Sequence, residues 1–326
     1  MQLNLVVTGG AGFIGSHLSE RLIADRHKVT VIDNFSTGRA SNLVNLKGAD
    51  RFTLVEGSIL DTGTLSPLIK DADYIFHLAA AVGVFNIVKN PLASLLTNIR
   101  GTETVLEAAY STNTPVFLTS SSEVYGKNIS DSLKESDDRI LGSPVTLRWS
   151  YSEAKAIDES LAYAYFVEKQ LETRIVRFFN TVGPRQLGAY GMVVPRFVKA
   201  ALANKPITIY GDGNQTRCFA HVYDVVDAVI AIAFADNTIG KVINIGNDFE
   251  ISINGLAKKI IDETDSKSEI VYIPYEEAYG DGFEDMERRV PNIDLINELV
   301  GWKPRRNLSE IIIDITNEMK GDSSLP

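Results

Sequence analysis

Through the first 180 residues, short apolar runs alternate with stretches of helical length. The runs LNLVV, KVTVI, FTLVEG, DYIFHLA and PVFLTS, with TRIVRFF a little further on, are rich in Val, Ile and Phe and only a few residues long, as buried strands are. Between them lie GSHLSERLIADRH, PLASLLTNIRGTETVLEAAYST and SEAKAIDESLAYAYFVEKQ, whose apolar residues recur at three- and four-residue intervals. Regular strand–helix alternation predicts a doubly wound α/β fold, a parallel sheet covered by helices on both faces with right-handed crossovers. After about residue 180 the pattern breaks into the turn-rich NTVGPRQLGAYGMVVPR, and FVKAALANK then predicts a helix. DVVDAVIAIAFA and KVINIG predict one more helix and strand of the main sheet. ISINGLAKKIIDET through LSEIIIDITNEM supplies small helices and loops. The expected organisation is a first domain over 1–180, to which the chain returns at about 216–248, and a smaller, discontinuous C-terminal domain over most of 181–326.

Composition narrows the class. The 326 residues carry a net charge of −10 and no tract of Lys or Arg, so a nucleic-acid partner is not expected. No apolar stretch reaches the ~18 residues that span a bilayer, and MQLNLVVTGGAG lacks the basic segment that opens a signal peptide. A single cysteine, Cys218, rules out an internal disulfide and any multi-cysteine metal site. A cytoplasmic, metal-independent protein is the expectation.

The first strand runs directly into VVTGGAGFIGSHL. Gly10, Gly12 and Gly15 satisfy G-x-G-x-x-G, and Gly9, Gly12 and Gly15 a wider spacing of the same kind. Glycines there permit a tight turn and let backbone approach a pyrophosphate at a helix N-terminus. Asp33 closes the second strand, 18 residues past Gly15, where a carboxylate binds ribose hydroxyls and repels a 2′-phosphate. NAD is therefore the expected cofactor; Arg39, in the next loop, is read as solvated. Further along, YSEAK sets Tyr151 and Lys155 four residues apart on one helix face. An ammonium near a phenol is expected to lower its pKa from ~10, and a drop of about three units makes Tyr151 a general base near neutral pH.

Taken together, TGGAGFIGSH, DNFSTG, FHLAA, TNIRGTETVLEAA, TSSSEVYG, YSEAK, RFFNTVGPRQ and YGDGNQTRCFAHVYDVVDA resemble the extended short-chain dehydrogenase/reductase family acting on nucleotide sugars, over essentially the whole chain. The resemblance implies a Rossmann-type fold and a UDP-sugar substrate. It implies that Ser121 bonds the sugar 4-hydroxyl, that Tyr151 is the base, and that Lys155 also holds the nicotinamide ribose. Gly9, Gly12, Gly15, Asp33, Asn34, Leu78 and Ala79 fall where the family contacts NAD. Phe13, Ile14, Ser36, Gly38, Ser58, Ile59, Ala80 and Asn98 are assigned to the same cofactor site. Ser58 departs from the family's usual Asp, so weaker adenine binding is expected. Asn180, Arg185, Val194 and Arg217 are assigned to the sugar nucleotide. The helix pair Pro91–Tyr110 and Ser152–Leu171 implies a homodimer through a four-helix bundle.

The reaction turns on TSSSEVYG. By resemblance, simple 4-epimerases carry a small or hydroxyl residue at the place of Glu123, and glucose-type 4,6-dehydratases pair the carboxylate with a preceding Asp, here Ser122. GDP-mannose dehydratases share the hydroxyl–Glu pair but prefer NADP, which Asp33 disfavours. The Ser122–Glu123 pair is similar to UDP-glucuronate decarboxylases, in which Arg289 of DMERRVPNID, ahead of an x-Pro, corresponds to an arginine on the glucuronate carboxylate; Arg288 precedes it. A fixed fork of donors suits that task. Oxidation at C4, loss of CO₂ and re-reduction, UDP-glucuronate to UDP-xylose, is the expected reaction. A UDP-sugar 4-epimerase is the alternative, and an NAD-binding scaffold without turnover is disfavoured by the intact Ser121, Tyr151 and Lys155. His77, His221 and Trp149 are read as packing residues at least as readily as site residues.

Overall fold

The computed structural model describes residues 1–83, 89–188, 192–279, 286 and 288–321. Residues 189–191 of the turn-rich stretch, and Asp285 and Glu287 of DMERRVPNID, lie outside the described residues. Each apolar run of the first half forms a strand: β1 Asn4–Thr8, β2 Lys28–Asp33, β3 Phe52–Glu56, β4 Tyr74–His77, β5 Val116–Ser121 and β6 Thr173–Phe178. A seventh, β7 (Val242–Ile245), comes from KVINIG. They make one sheet in the order β7-β6-β5-β4-β1-β2-β3, parallel throughout. The order reverses direction between β1 and β4, and at such a switch the loops diverge and leave a crevice beyond the strands' C-terminal ends.

Successive side chains of a strand face opposite sides, and both sides here are apolar. Leu5, Val7 and Val31 pack with Phe76 and Phe117 against helices α1 (Phe13–Ala24) and Val222–Ala233. Val6, Ile32, Ile75 and Leu118 pack on the other face against α2 (Thr62–Lys70), α3 (Pro91–Thr112) and α4 (Ser150–Lys169). Burying each such side chain contributes roughly 1.5–3 kcal/mol, which is why the parallel sheet sits inside. β3, at the edge, is mostly exposed despite its apolar run.

After β6 the chain leaves the sheet. Val193–Leu202, Ile253–Thr264 and Leu308–Gly321 enclose a second core built on Phe197, Val198, Leu256, Ile260, Ile311 and Ile315. The helix expected at FVKAALANK starts four residues earlier, at Val193, because Pro195 is tolerated in a first turn. Between these visits the chain returns to the sheet for Val222–Ala233 and β7. It returns once more, unexpected from periodicity, at Ile296 and Trp302, whose indole donates to the Asp224 carbonyl at 3.0 Å. Among the described residues no helix is long and apolar enough to cross a membrane.

Candidate active site

The glycine loop lies against the end of β4. Gly9 has φ +71°, and a Cβ there would fall 2.7 Å from the Ala79 nitrogen; one on Gly15 would fall 2.3 Å from the Gly9 carbonyl oxygen. No side chain therefore fits, and the backbone forms an open cradle at the start of α1, whose N-terminus has no side-chain cap. Asp33 accepts from the Ala11 N–H at 2.9 Å and the Phe35 N–H at 2.8 Å. Burial pushes its pKa up, and these two bonds pull it back. Gly12, Phe13, Ile14, Asn34, Ser36, Ser58, Ile59, Leu78 and Ala80 join Gly9, Gly15, Asp33 and Ala79 in the wall of one cavity of about 510 Å³. The cradle, the buried carboxylate at the end of β2 and the length of this wall fit a dinucleotide.

Two of the expected cofactor contacts stand behind that wall. Gly38 packs on Ala11 and Asp33, while its neighbours Thr37 and Arg39 line the cavity. Asn98 is buried and brackets the Ala81 backbone, accepting from its N–H at 2.7 Å and donating to its carbonyl at 3.2 Å. Asn98 thus sets the course of the strand-end loop instead of reaching the ligand. Arg39, read as solvated, belongs to the cavity wall.

β5 carries the chemistry to the cavity. Its last residue, Ser121, accepts the Glu123 N–H at 3.2 Å and so starts the 3₁₀ turn Ser122–Tyr125. Ser152, in the first turn of α4, donates to the Glu123 carbonyl at 2.7 Å, joining that turn to the helix bearing Tyr151 and Lys155. Beneath them Glu159 binds Ser120 at 2.5 Å and Arg177 of β6 at 2.7 Å, locking helix to sheet. Ser121, Ser122, Glu123, Tyr151, Lys155 and Arg289 all line the one cavity.

The tyrosine–lysine pair differs from the expectation. Lys155 Nζ donates to the Thr119 carbonyl at 3.0 Å and to Asp158, one turn along the same face, at 3.1 Å. Asp158 is fully buried and balances the ammonium. Burial first, then the charges of Glu123 and Asp158, push the Tyr151 phenol above its ordinary value, against a hydrogen bond with Ser121 that lowers it. The lowered phenol predicted from spacing is therefore corrected: without a cofactor, desolvation and two carboxylates outweigh Lys155.

Glu123 is held by two guanidiniums. Arg289 Nη2 meets Oε1 at 2.8 Å and Arg148 Nη1 meets Oε2 at 2.6 Å. Burial opposes the charge on Glu123, but the two arginines outweigh it and hold its pKa well below the ordinary carboxylate range. Arg288, beside Arg289 in sequence, turns away to a bidentate pair with Glu250.

On the far side of the cavity Asn180 and Arg217 are in the wall, Asn180 donating to the Cys218 carbonyl and Arg217 to the Thr216 carbonyl. Arg185 borders the cavity, but its guanidinium binds Glu20 at 2.7 Å and Ser16 at 3.2 Å on α1. Val194 is a correction: it is wholly buried in the second core, and the helix turns Met192 and Val193 toward the cavity instead. Sequence reasoning missed Arg148 and Asp158, although each is a helix-turn neighbour of Tyr151 or Lys155. It also missed Arg196, 4.3 Å from the Tyr210 ring, and Gln215, bonded to the Tyr275 hydroxyl; these come from separate segments and carry no local signal. His77 is a buried packing residue between Thr8 and Thr102, His221 caps its helix by accepting from the Tyr223 N–H, and Trp149 is fully buried outside the wall.

A switch-point dinucleotide cradle facing a Ser–Tyr–Lys set defines a short-chain dehydrogenase/reductase of the extended kind. The chain belongs to the GDP-mannose 4,6-dehydratase family, whose model matches residues 6–315. It is 40% identical over 305 residues to the UDP-N-acetyl-alpha-D-glucosaminuronate decarboxylase of Bacillus cytotoxicus, covering 93% of this chain and 94% of that one. It is 37% identical over 309 residues to UDP-glucuronic acid decarboxylase 1 of Arabidopsis thaliana, covering 95% and 68%. Among solved structures, the UDP-glucuronic acid 4-epimerase from Bacillus cereus in complex with UDP-glucuronic acid and NAD aligns with a TM-score of 0.88 at 29% identity, covering 98% of this chain and 99% of that one.

Proposed function

We propose that the protein is an NAD-dependent decarboxylase of a UDP-hexuronate, taking UDP-glucuronate to UDP-xylose. The observation that carries this reading is the Glu123–Arg289 ion pair in the same wall as Ser121 and Tyr151. A buried arginine beside the reacting centre is suited to a carboxylated sugar, and the decarboxylase relatives support the same class. NAD, held by the glycine cradle and Asp33, supplies hydride acceptance from C4 and its return.

Tyr151 removes the O4 proton and Ser121 holds that oxygen. The resulting 4-ketone is β to the C6 carboxylate, so the C5–C6 bond can break with its electrons delocalised into the enolate while CO₂ leaves. Arg289 orients the carboxylate before that step. Glu123, kept ionised, is a poor proton donor, so C5 takes its proton from a water that Ser122 and Glu123 position. Tyr151 returns its proton to O4 as C4 is reduced. Asn180 and Arg217 hold the nucleotide diphosphate, with Arg185 ordering the adjoining wall.

The protein is proposed to act in the cytoplasm, which its buried single thiol supports, and as a homodimer. α3 and α4 pack together, with Tyr110 and Tyr165 rings 6.1 Å apart. Ile157, Ala164 and Val167 follow one stripe of α4 and are exposed, and Leu92 is exposed on α3.

The test is proton NMR of UDP-glucuronate, and in parallel UDP-N-acetylglucosaminuronate, with protein and NAD⁺. Loss of CO₂ and a pentose product are expected. A C4 epimer with its carboxylate intact would replace this reading with the epimerase. Tyr151→Phe is expected to lower kcat at least about 100-fold, and Arg289→Ala to raise KM for the uronate.

A further inference from the structure

The two arginines on Glu123 are anchored differently. Arg148 sits in the 3₁₀ turn Leu147–Trp149, immediately ahead of α4 and three residues before Tyr151. Its guanidinium lies 5.3 Å from the centroid of the Trp149 ring, and that ring is fully buried. The Glu123 carbonyl is bound by Ser152 of the same helix. Arg148, Glu123 and Tyr151 therefore belong to one rigid assembly. Arg289 reaches Glu123 from a distant part of the chain, and its second nitrogen is 3.4 Å from the Ser122 hydroxyl, at the long limit of a hydrogen bond.

We infer that Arg148 is the standing partner of Glu123, which lets Arg289 exchange Glu123 for the carboxylate of an entering uronate. The inference rests on the uronate reading above and deepens it. In the protein alone, Glu123 occupies the arginine fork that a substrate carboxylate needs. When a second carboxylate enters, the cavity holds two carboxylates facing two guanidiniums. Arg148 makes that balance possible, since it keeps Oε2 of Glu123 paired at 2.6 Å while Arg289 turns to the sugar. Removing its charge sets Glu123 and the substrate in competition for Arg289, with like charges close together in a dry site. Arg148 is thus a positioning residue that acts through Glu123 and sets the preference for a charged sugar over a neutral one.

The experiment measures calorimetric affinities of UDP-glucuronate and UDP-glucose for the NAD-loaded full chain in a Tyr151→Phe background, which stops turnover. Arg148→Gln is expected to cut the uronate-over-glucose preference at least about tenfold, with UDP-glucose binding held within about threefold. Arg148→Lys, which keeps the charge, is expected to retain the preference within about threefold. An unchanged preference in Arg148→Gln overturns the inference. Equal weakening of both ligands overturns it too, since that marks an arginine that only shapes the wall. If Arg148→Gln does not fold, the lysine variant decides: losing the preference while binding UDP-glucose normally also overturns it. A parent protein with no preference for the uronate refutes the proposed function itself, before any change at Arg148.

Discussion

A buried carboxylate gripped by two guanidiniums has little freedom in its protonation, and this decides what Glu123 can do. It stays charged where catalysis takes place, so its contribution is orientation and electrostatics. Lys155 is constrained in the same way by Asp158 at 3.1 Å. Because the Asp158 charge helps hold the Tyr151 phenol protonated, Asp158→Asn is expected to stabilise the phenolate. The acid limb of the kcat–pH profile then moves to lower pH, by about one unit, equivalent to ~1.4 kcal/mol. A limb that stays still or moves upward would show that Asp158 does not act on Tyr151.

At the scale of elements, α4 has two jobs on two faces. Its inner face presents Tyr151 and Lys155 to the cavity and fastens to β5 and β6 through Glu159, Ser120 and Arg177. Removing one partner of that buried pair, as in Arg177→Met, is expected to cost about 3–5 kcal/mol of stability in urea unfolding, because Glu159 keeps its charge in a dry site. The outer face carries Ile157, Ala164 and Val167 in one stripe. Ile157→Glu with Val167→Glu is expected to shift the protein from dimer to monomer in light scattering while leaving its circular dichroism unchanged. A wild-type monomer at tens of micromolar would remove the four-helix bundle from the account.

Over the whole molecule, buried neutral histidines tie stability to pH. Burial first, then the charge of Lys155, lowers the pKa of His77 to about 3. Burial likewise lowers His17 to about 4. Below the unfolded value of 6.5 the unfolded chain takes up protons that the folded chain refuses. The stabilisation is therefore complete above that pH and is lost as pH falls toward the folded values. Each group contributes a slope of about 1.4 kcal/mol per pH unit within its window. Urea unfolding between pH 7 and 5 measures the slope, and His77→Gln is expected to reduce it by one group's share.

The chain on its own determined whatever depends on neighbours a few residues apart. Strand–helix alternation dictated the parallel sheet, the spacing of Gly9, Gly12 and Gly15 dictated the cradle, and Tyr151 with Lys155 followed from one helix turn. Local periodicity carries that information because backbone geometry repeats over short distances. Tertiary structure alone decided the charge balance: that Arg289 crosses from the C-terminal segment to Glu123, that Asp158 holds Lys155, and that Arg185 turns to Glu20. It also decided which of Val193 and Val194 faces the cavity, since one residue turns a helix by about 100°. Electrostatic energies in a dry cavity depend on distances of a few ångströms between groups far apart in sequence, and only folding sets those distances.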